Sequence, residues 1–204
     1  MGNGNDTLLL SQLCKTTGKV LAFDIQKQAL AATREKLAAE HAPQNYTLLL
    51  ESHANMSKYA EADSISCIVF NFGYLPGGDH SLATRGETSI QALTQALSLL
   101  KKGGMISLCI YSGGDSGFDE RNQILSWLKE LDPHKYLVIK SEYYNRPNNP
   151  PIPVLIIKIE QHKKTPEKNI VKIFSSVFCN LSIFLICSFS DFSYLTRELR
   201  IHSV

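Results

Sequence analysis

The sequence predicts an α/β protein built on a doubly wound, mostly parallel sheet. Strand-like apolar runs alternate with segments of helical periodicity over residues 19–131, which is typical of sheets whose parallel strands are joined by helices. The last two strand-like runs have no helix between them, so we expect them to pair antiparallel at one edge of the sheet. The chain has 204 residues, enough for one domain with a substantial core.

The individual elements follow from hydrophobic spacing. Strands are predicted where apolar residues run together, and helices where they recur every three or four residues. The predicted strands are residues 19–24, 46–51, 65–72, 105–111, 136–144 and 154–159. The predicted helices are residues 8–13, 26–41, 90–100 and 118–131, and Gly103 and Gly104 are expected to stop the third of them.

The composition is that of an ordinary globular protein, with 44% hydrophobic and 20% charged residues. A formal net charge of +2 gives no strong general attraction to nucleic acid, although it does not exclude a local basic groove. The five cysteines are odd in number and include no C-x-x-C pair, and no metal site is predicted. The N-terminus does not resemble a secretory signal, so we expect a cytoplasmic location, or an organellar one in a eukaryote.

A glycine-rich turn, GNGNDT at residues 2–7, is the first candidate site. It leads directly into a predicted helix, a position that suits backbone contacts with a ligand. Asp24 ends the next strand about 20 residues on, where a carboxylate can accept hydrogen bonds from both hydroxyls of a ribose. Gln26, Ser52 and His53 follow neighbouring strand ends and are candidates for contacts with the sugar or the purine. The alternatives are that Asp24 caps a helix and that His53 is an ordinary loop residue.

Two cofactor classes fit this turn, a nicotinamide dinucleotide and S-adenosylmethionine. The turn lacks the third glycine of the dinucleotide fingerprint, and Asp6 near the helix start would repel a pyrophosphate. Polar side chains here instead suit the zwitterionic amino-acid end of S-adenosylmethionine, and the antiparallel late strands favour a methyltransferase sheet. We therefore predict S-adenosylmethionine, bound in the turn by Gly2, Asn3, Gly4 and Asn5; a nicotinamide-dependent oxidoreductase is the alternative.

The stretch NFGYLPGGDH at residues 71–80 is the candidate acceptor site. Its start resembles in layout the N-P-P-Y motif of amino-group methyltransferases, in which an amide oxygen and a backbone carbonyl hold the target NH₂ while an aromatic ring stacks on the base. A neutral amine must aim its lone pair at the methyl group, so acceptors must hold its hydrogens. The predicted catalytic residues are Asn71, Tyr74, Asp79 and His80, the last two as bases for an ammonium substrate. The alternative is a turn-rich loop.

Two further segments are expected to contact the substrate. Tyr111 ends a predicted strand and begins an open loop on the same side as the acceptor stretch. Arg146 and Asn148 lie in the proline-rich segment NRPNNPP, where Arg146, together with Tyr143 or Tyr144, is placed to bind a phosphate and stack a base, as proteins do with RNA loops. The alternative is a rigid surface connection.

Together these motifs resemble one family. GNGNDT, AFDIQ, NFGYLPGGDH, IYSGGDSGF, WL and NRPNNPP occur in this order in the family once labelled putative rRNA methylase, and the resemblance covers roughly residues 2–160. It implies a Rossmann-like class I methyltransferase, usually dimeric, that uses S-adenosylmethionine to methylate the aminomethyl group of 5-aminomethyl-2-thiouridine at the tRNA wobble position. It also implies cofactor contacts carried by Asn3, Asn5, Asp24, Gln26 and His53.

The sequence departs from this family at both ends. Family members carry a strand ahead of the glycine-rich turn, centrally placed between the strands that end at Asp24 and Asn71, and we expect this first central strand to be missing here. We expect a methyltransferase domain at residues 1–162 and an apolar, poorly ordered or non-family tail at residues 163–204.

Residues 173–190 carry no charge, which makes a membrane anchor an alternative interpretation of the tail, although we expect no membrane association. Both ends are expected to be those of a truncated or misassembled gene product. A catalytically impaired methyltransferase-like protein, or a methyltransferase acting on rRNA, is therefore the alternative to an enzyme acting on tRNA.

Overall fold

The computed structural model of the protein describes residues 1–72, 86–112 and 117–159. Helices and strands alternate as the hydrophobic spacing predicts, with bounds that differ from the prediction by a few residues. In chain order they are α1 (Asn5–Cys14), β1 (Val20–Asp24), α2 (Lys27–Ala39), β2 (Tyr46–Leu50), a 3₁₀ helix (His53–Lys58), β3 (Ile65–Phe72), α3 (Gly86–Leu99), β4 (Leu100–Ile110), α4 (Gly117–Lys129), β5 (Tyr136–Lys140) and β6 (Ile152–Lys158).

The larger sheet has four strands in the order β3-β4-β6-β5. Strands β3 and β4 are parallel, whereas β6 runs antiparallel to both β4 and β5. The predicted antiparallel pairing of the last two strands at one edge is therefore confirmed, with β5 outermost. Strands β1 and β2 form a separate parallel pair.

Within the described ranges, no strand lies between β1 and β3, which belong to different sheets. This agrees with the expectation that the central strand is missing, and the two edges do not close on each other. Contacts from the N-terminal segment and from aromatic side chains connect the two halves instead. The Asp6 carboxylate of α1 accepts a hydrogen bond from the Asn71 amide of β3 over 2.6 Å. The Phe23 ring of β1 meets the Tyr59 ring, just after the 3₁₀ helix, edge-on with centroids 5.5 Å apart.

The main hydrophobic core lies on one face of the larger sheet. Alternate residues of each strand point to this face, including Phe70, Leu108 and Ile156, which are buried together with apolar residues of α3 and α4. Residues of opposite orientation, such as Val69 and Leu155, are only half-buried and do not belong to this core. A second, smaller cluster joins α1 to β1 and β2 through Leu10, Cys14, Val20 and Tyr46.

The prediction that Gly103 and Gly104 stop a helix was wrong. Helix α3 ends at Leu99, and β4 starts at the next residue and includes both glycines. The reason is that Leu100 is fully buried and pairs with Ile65, and a shift in strand register follows before the regular ladder begins. Gly103, at φ 71°, lies in this irregular stretch, where glycine tolerates the left-handed conformation.

Strand β5 ends at Lys140, four residues earlier than predicted, and residues 141–149 are exposed. None of the helices in the three described ranges is long and apolar enough to span a membrane. Residues 163–204, the predicted tail, lie outside the described residues.

Candidate cofactor and acceptor site

The glycine-rich turn packs tightly against α2. Gly2 and Gly4 have φ angles of 56° and 79°, which side-chain-bearing residues rarely adopt. A Cβ atom on Gly4 would lie 2.9 Å from the Cα atom of Thr33 in α2. The hydroxyl of Thr33 also donates a hydrogen bond to the Gly2 carbonyl over 3.4 Å. Glycine at position 4 therefore fixes where the turn sits.

Asp24 connects this turn to the end of β1. One carboxylate oxygen accepts a hydrogen bond from the Gly2 N–H over 3.1 Å and lies 3.3 Å from the Met1 ammonium nitrogen. The other accepts from the Gln26 N–H over 3.0 Å. The N-cap residue of α2 is Gln26, so Asp24 does not occupy the helix-capping position considered above. Each carboxylate oxygen can accept two hydrogen bonds, so capacity remains for a ribose hydroxyl.

His53 lies beside β3, and its Nε2 atom is buried without a hydrogen-bond partner among the described residues. Its ring centroid is 6.1 Å from that of Phe70 and 5.8 Å from that of Phe72. Burial lowers the pKa of His53, the charge of the Met1 ammonium lowers it further, and Asp24 acts in the opposite direction. The imidazole is therefore neutral near pH 7, and a buried nitrogen without a partner fits a heterocyclic ligand that supplies one.

The remaining predicted cofactor residues differ in whether their side chains already form hydrogen bonds within the protein. The side chain of Asn3 is exposed. The Asn5 amide oxygen accepts a hydrogen bond from the Lys36 ammonium group. Ser52 is the N-cap of the 3₁₀ helix, where its hydroxyl accepts from the Ala54 N–H over 3.2 Å. Ser52 thus holds local structure beside His53.

Asn71 lies at the carboxyl end of β3 and is oriented by the helix that follows the glycine-rich turn. Its amide nitrogen donates a hydrogen bond to the Asp6 carboxylate over 2.6 Å. An ionised carboxylate only accepts, so the NH₂ group must face Asp6 and the amide oxygen is left as an acceptor. The other predicted catalytic residues, Tyr74, Asp79 and His80, lie outside the described residues.

Tyr111 lies at the same edge of the sheet, just beyond β4, and is 44% exposed. Burial raises its pKa to about 12, with smaller contributions from neighbouring Cys109, Asp6 and Tyr143. Tyr111 is therefore a neutral phenol near pH 7. Tyr143, which follows β5, is exposed to a similar extent, at 49%.

The proline-rich segment is exposed beside this surface. Arg146 and Asn148 are both exposed, and Asn148 has a left-handed φ of 64°. Tyr143 and Tyr144 are exposed as well. The segment thus presents cationic, amide and aromatic groups, but nothing places Arg146 or Asn148 against the cofactor residues.

Sequence reasoning missed a cluster next to Tyr111. The Arg121 guanidinium group of α4 lies 5.4 Å from the Phe118 ring centroid and donates a hydrogen bond to the Ser112 hydroxyl over 3.1 Å. The spacing of Phe118 and Arg121, three apart in a predicted helix, was the available signal, because such residues are neighbours on a helix surface.

Comparisons with known proteins agree with this architecture. The family model described as "Putative rRNA methylase" matches residues 20–157. The curated tRNA (mnm(5)s(2)U34)-methyltransferase, chloroplastic, of Arabidopsis thaliana is 32% identical over 158 residues, which are 73% of this chain and 58% of that protein. The chain thus spans less than two thirds of the length of this relative.

Two solved structures are similar over most of the chain. A putative rRNA-methylase from Clostridium thermocellum is 46% identical with a TM-score of 0.75, and the match covers 78% of this chain and 84% of that one. A putative methyltransferase from Streptococcus mutans in complex with SAH is 40% identical with a TM-score of 0.70, covering 78% and 85% of the two chains. The fold is therefore that of the class I methyltransferases, and because the family model matches more than half of the sequence, the chain belongs to the putative rRNA methylase family.

Proposed function

We propose that the protein is an S-adenosylmethionine-dependent N-methyltransferase that acts on the aminomethyl group of 5-aminomethyl-2-thiouridine at the tRNA wobble position. Family membership and the relative in complex with SAH support methyl transfer from this cofactor, and the name of the Arabidopsis relative supports the target. The observation that carries the proposal is the orientation of Asn71, whose amide oxygen is left to accept a hydrogen bond at the sheet edge.

The residues present fit S-adenosylmethionine. The buried, unpartnered Nε2 atom of His53 suits an adenine edge, and the Asp24 carboxylate and Gln26 suit the ribose. Backbone groups of the glycine-rich turn, with Asn3 and Asn5, suit the amino-acid end. When bound, the cofactor supplies an electrophilic methyl group. A dinucleotide fits less well, because the Asp6 carboxylate in the first turn of α1 opposes a pyrophosphate there.

Asn71 is proposed to position the accepting amine. Its amide oxygen would accept an N–H of the substrate, which turns the nitrogen lone pair toward the methyl group. The hydrogen bond to Asp6 keeps the amide from rotating, so the geometry exists before substrate arrives. Asp79 or His80 is proposed to take the proton of an ammonium substrate, and Tyr74 to stack on the base.

We propose tRNA as the macromolecular partner, held along the exposed surface formed by Tyr111, Tyr143, Arg146 and Asn148. Aromatic rings stack on unpaired bases and cations bind phosphates, which is how single-stranded RNA loops are recognised. Residues 1–162 are proposed to form the methyltransferase domain, acting in the cytoplasm or an organelle as a homodimer, and residues 163–204 to lie outside it.

Two alternatives rest on specific observations. The family description favours rRNA as the methylated molecule. The unpaired edges of β1 and β3 within the described residues favour a protein that binds the cofactor poorly, because backbone groups without ladder partners are costly to bury.

One experiment separates these readings. The protein is incubated with labelled S-adenosylmethionine and either tRNA from a strain lacking the wobble modification or unmodified rRNA. Label in tRNA supports the proposal, label in rRNA alone supports the first alternative, and no label with a folded protein contradicts the proposal. Calorimetric titration with S-adenosylhomocysteine and with NAD then tells whether cofactor binding is intact and which class binds.

A further inference from the structure

The cluster of Ser112, Phe118 and Arg121 is not used by the site described above. Arg121 is half-buried, with one guanidinium nitrogen bonded to the Ser112 hydroxyl and its plane near the Phe118 ring. Its Nε atom is buried and has no hydrogen-bond partner. A guanidinium group carries five N–H donors, so most of its donor capacity is unused within the described part of the chain.

Arg121 also lacks a counter-ion in the described part of the chain. The ion pairs found there are formed by Met1, Lys135, Lys140 and Lys158. Its neighbour in the helix, Glu120, is buried and accepts a hydrogen bond from the Ser89 hydroxyl. An arginine held in place by a ring and a hydroxyl, with free donors and no carboxylate partner among the described residues, is suited to bind an anion from outside the chain.

The cluster lies at the same edge of the sheet as the acceptor residue Asn71. Asn71 pairs with Cys109 across the sheet, at a Cα separation of about 5 Å. Ser112 follows Cys109 by three residues, so the Cα atoms of Cys109 and Ser112 are at most roughly 11 Å apart. Ser112 and the Arg121 group bound to it are thus at the same edge of the sheet as Asn71 and Tyr111.

We propose that Arg121, oriented by Phe118 and Ser112, binds a backbone phosphate of the RNA substrate next to the methylated nucleotide. This inference rests on the proposed function, since it takes RNA as the substrate. A planar guanidinium matches two phosphate oxygens, and phosphate contacts fix the register of a nucleic acid on a protein. The half-exposed Phe118 ring adds a surface for a neighbouring base. The carboxylate of the cofactor is the other anion expected at this edge, and the test separates the two.

The test measures RNA binding and cofactor binding separately. A fluorescent anticodon stem-loop RNA is titrated with the full chain at several salt concentrations in the presence of S-adenosylhomocysteine. Arg121→Gln should weaken RNA binding about tenfold and lower the slope of log Kd against log salt by about 0.7, the contribution of one phosphate contact in single-stranded RNA. The affinity for S-adenosylhomocysteine should not change.

Arg34→Gln is the matched control, because Arg34 is exposed on α2 and the change in charge is the same; it should change RNA affinity less than twofold. Arg121→Lys should show the wild-type salt slope, because it keeps the positive charge. Its RNA affinity should stay below that of the wild type, because a single ammonium group replaces the planar guanidinium and its paired N–H donors. Ser112→Ala, which removes only the orienting hydroxyl, should also weaken RNA binding. It provides the test of this site if Arg121→Gln fails to fold.

Each other result contradicts the proposal. If Arg121→Gln and Ser112→Ala both keep the wild-type melting temperature and RNA affinity, Arg121 does not bind a phosphate. That result leaves the proposed RNA substrate untouched. Weaker binding of S-adenosylhomocysteine with unchanged RNA binding assigns Arg121 to the cofactor carboxylate. If the unsubstituted protein binds no RNA, both the proposed substrate class and this site are overturned.

Discussion

Gly4→Ala tests how the glycine-rich turn is fixed against α2. Gly4 has a φ of 79°, a left-handed conformation that costs an alanine roughly 1–2 kcal/mol. The added Cβ would also lie 2.9 Å from the Cα atom of Thr33, a backbone atom that cannot rotate away, and such overpacking costs roughly 1–3 kcal/mol. The two effects together should lower the free energy of unfolding by about 2–5 kcal/mol.

Gly103→Ala is the matched control. Gly103 has a similar φ of 71°, but an added Cβ there meets no atom of the described residues within 4 Å. It should cost only the conformational part, about 1–2 kcal/mol, and the difference between the variants isolates the contact with Thr33. Urea unfolding followed by circular dichroism measures both values. Titration with S-adenosylhomocysteine should show weaker binding for Gly4→Ala and unchanged binding for Gly103→Ala.

Equal destabilisation of the two variants would refute the reasoning, because it would show that the turn is not packed on α2. If both variants bind S-adenosylhomocysteine more weakly, the lost affinity is a consequence of reduced folding stability and not of the turn itself. Only a loss confined to Gly4→Ala places the turn in the cofactor site.

Three further substitutions test individual side chains. Asn71→Ala should lower kcat about 10- to 150-fold, as expected for a hydrogen bond of roughly 1.5–3 kcal/mol made in the transition state, with little change in S-adenosylhomocysteine affinity. Equal losses in both would place Asn71 in the cofactor site. Asp24→Ala should weaken S-adenosylhomocysteine binding by about 1.5–3 kcal/mol in calorimetry and also lower the melting temperature, because Asp24 anchors Gly2; unchanged affinity with reduced stability would leave it a purely structural role. Because burial lowers the pKa of His53, the unfolded chain binds this proton more readily, so stability should fall as pH drops below about 6.5. In unfolding experiments at several pH values, His53→Gln should reduce the pH dependence of stability, whereas the same change at exposed His134 should not. An unchanged pH dependence in both variants would contradict the account.

The elements of the fold could be predicted because they are set locally. Apolar spacing of three and four residues identified α2 and α4, and uninterrupted apolar runs identified β1 and β3. The antiparallel pairing of β5 and β6 followed from the missing helix between them. The glycines at 103 and 104 misled the prediction because a glycine pair stops a helix or bends a strand equally well, and the burial of Leu100 decides between these outcomes.

For the candidate site, the sequence could predict which residues lie at strand ends but not the contacts that those residues make. The sequence placed Asp24, His53 and Asn71 after parallel strands, and such residues meet at one edge of a sheet. The hydrogen bond between Asp6 and Asn71 joins residues 65 positions apart, and no local pattern contains it. The burial of the His53 Nε2 atom likewise depends on packing against β3 and could not be deduced from its position alone.

The most direct measurement of the proposed activity is the nucleoside composition of tRNA in cells with and without the gene. Digestion of total tRNA and mass spectrometry should show that deletion causes 5-aminomethyl-2-thiouridine to accumulate and its methylated product to disappear. The unsubstituted gene should restore the product, and the Asn71→Ala gene should not. Unchanged wobble nucleosides after deletion, with a methyl group missing from rRNA or from no RNA, would contradict the assignment of this protein to wobble methylation.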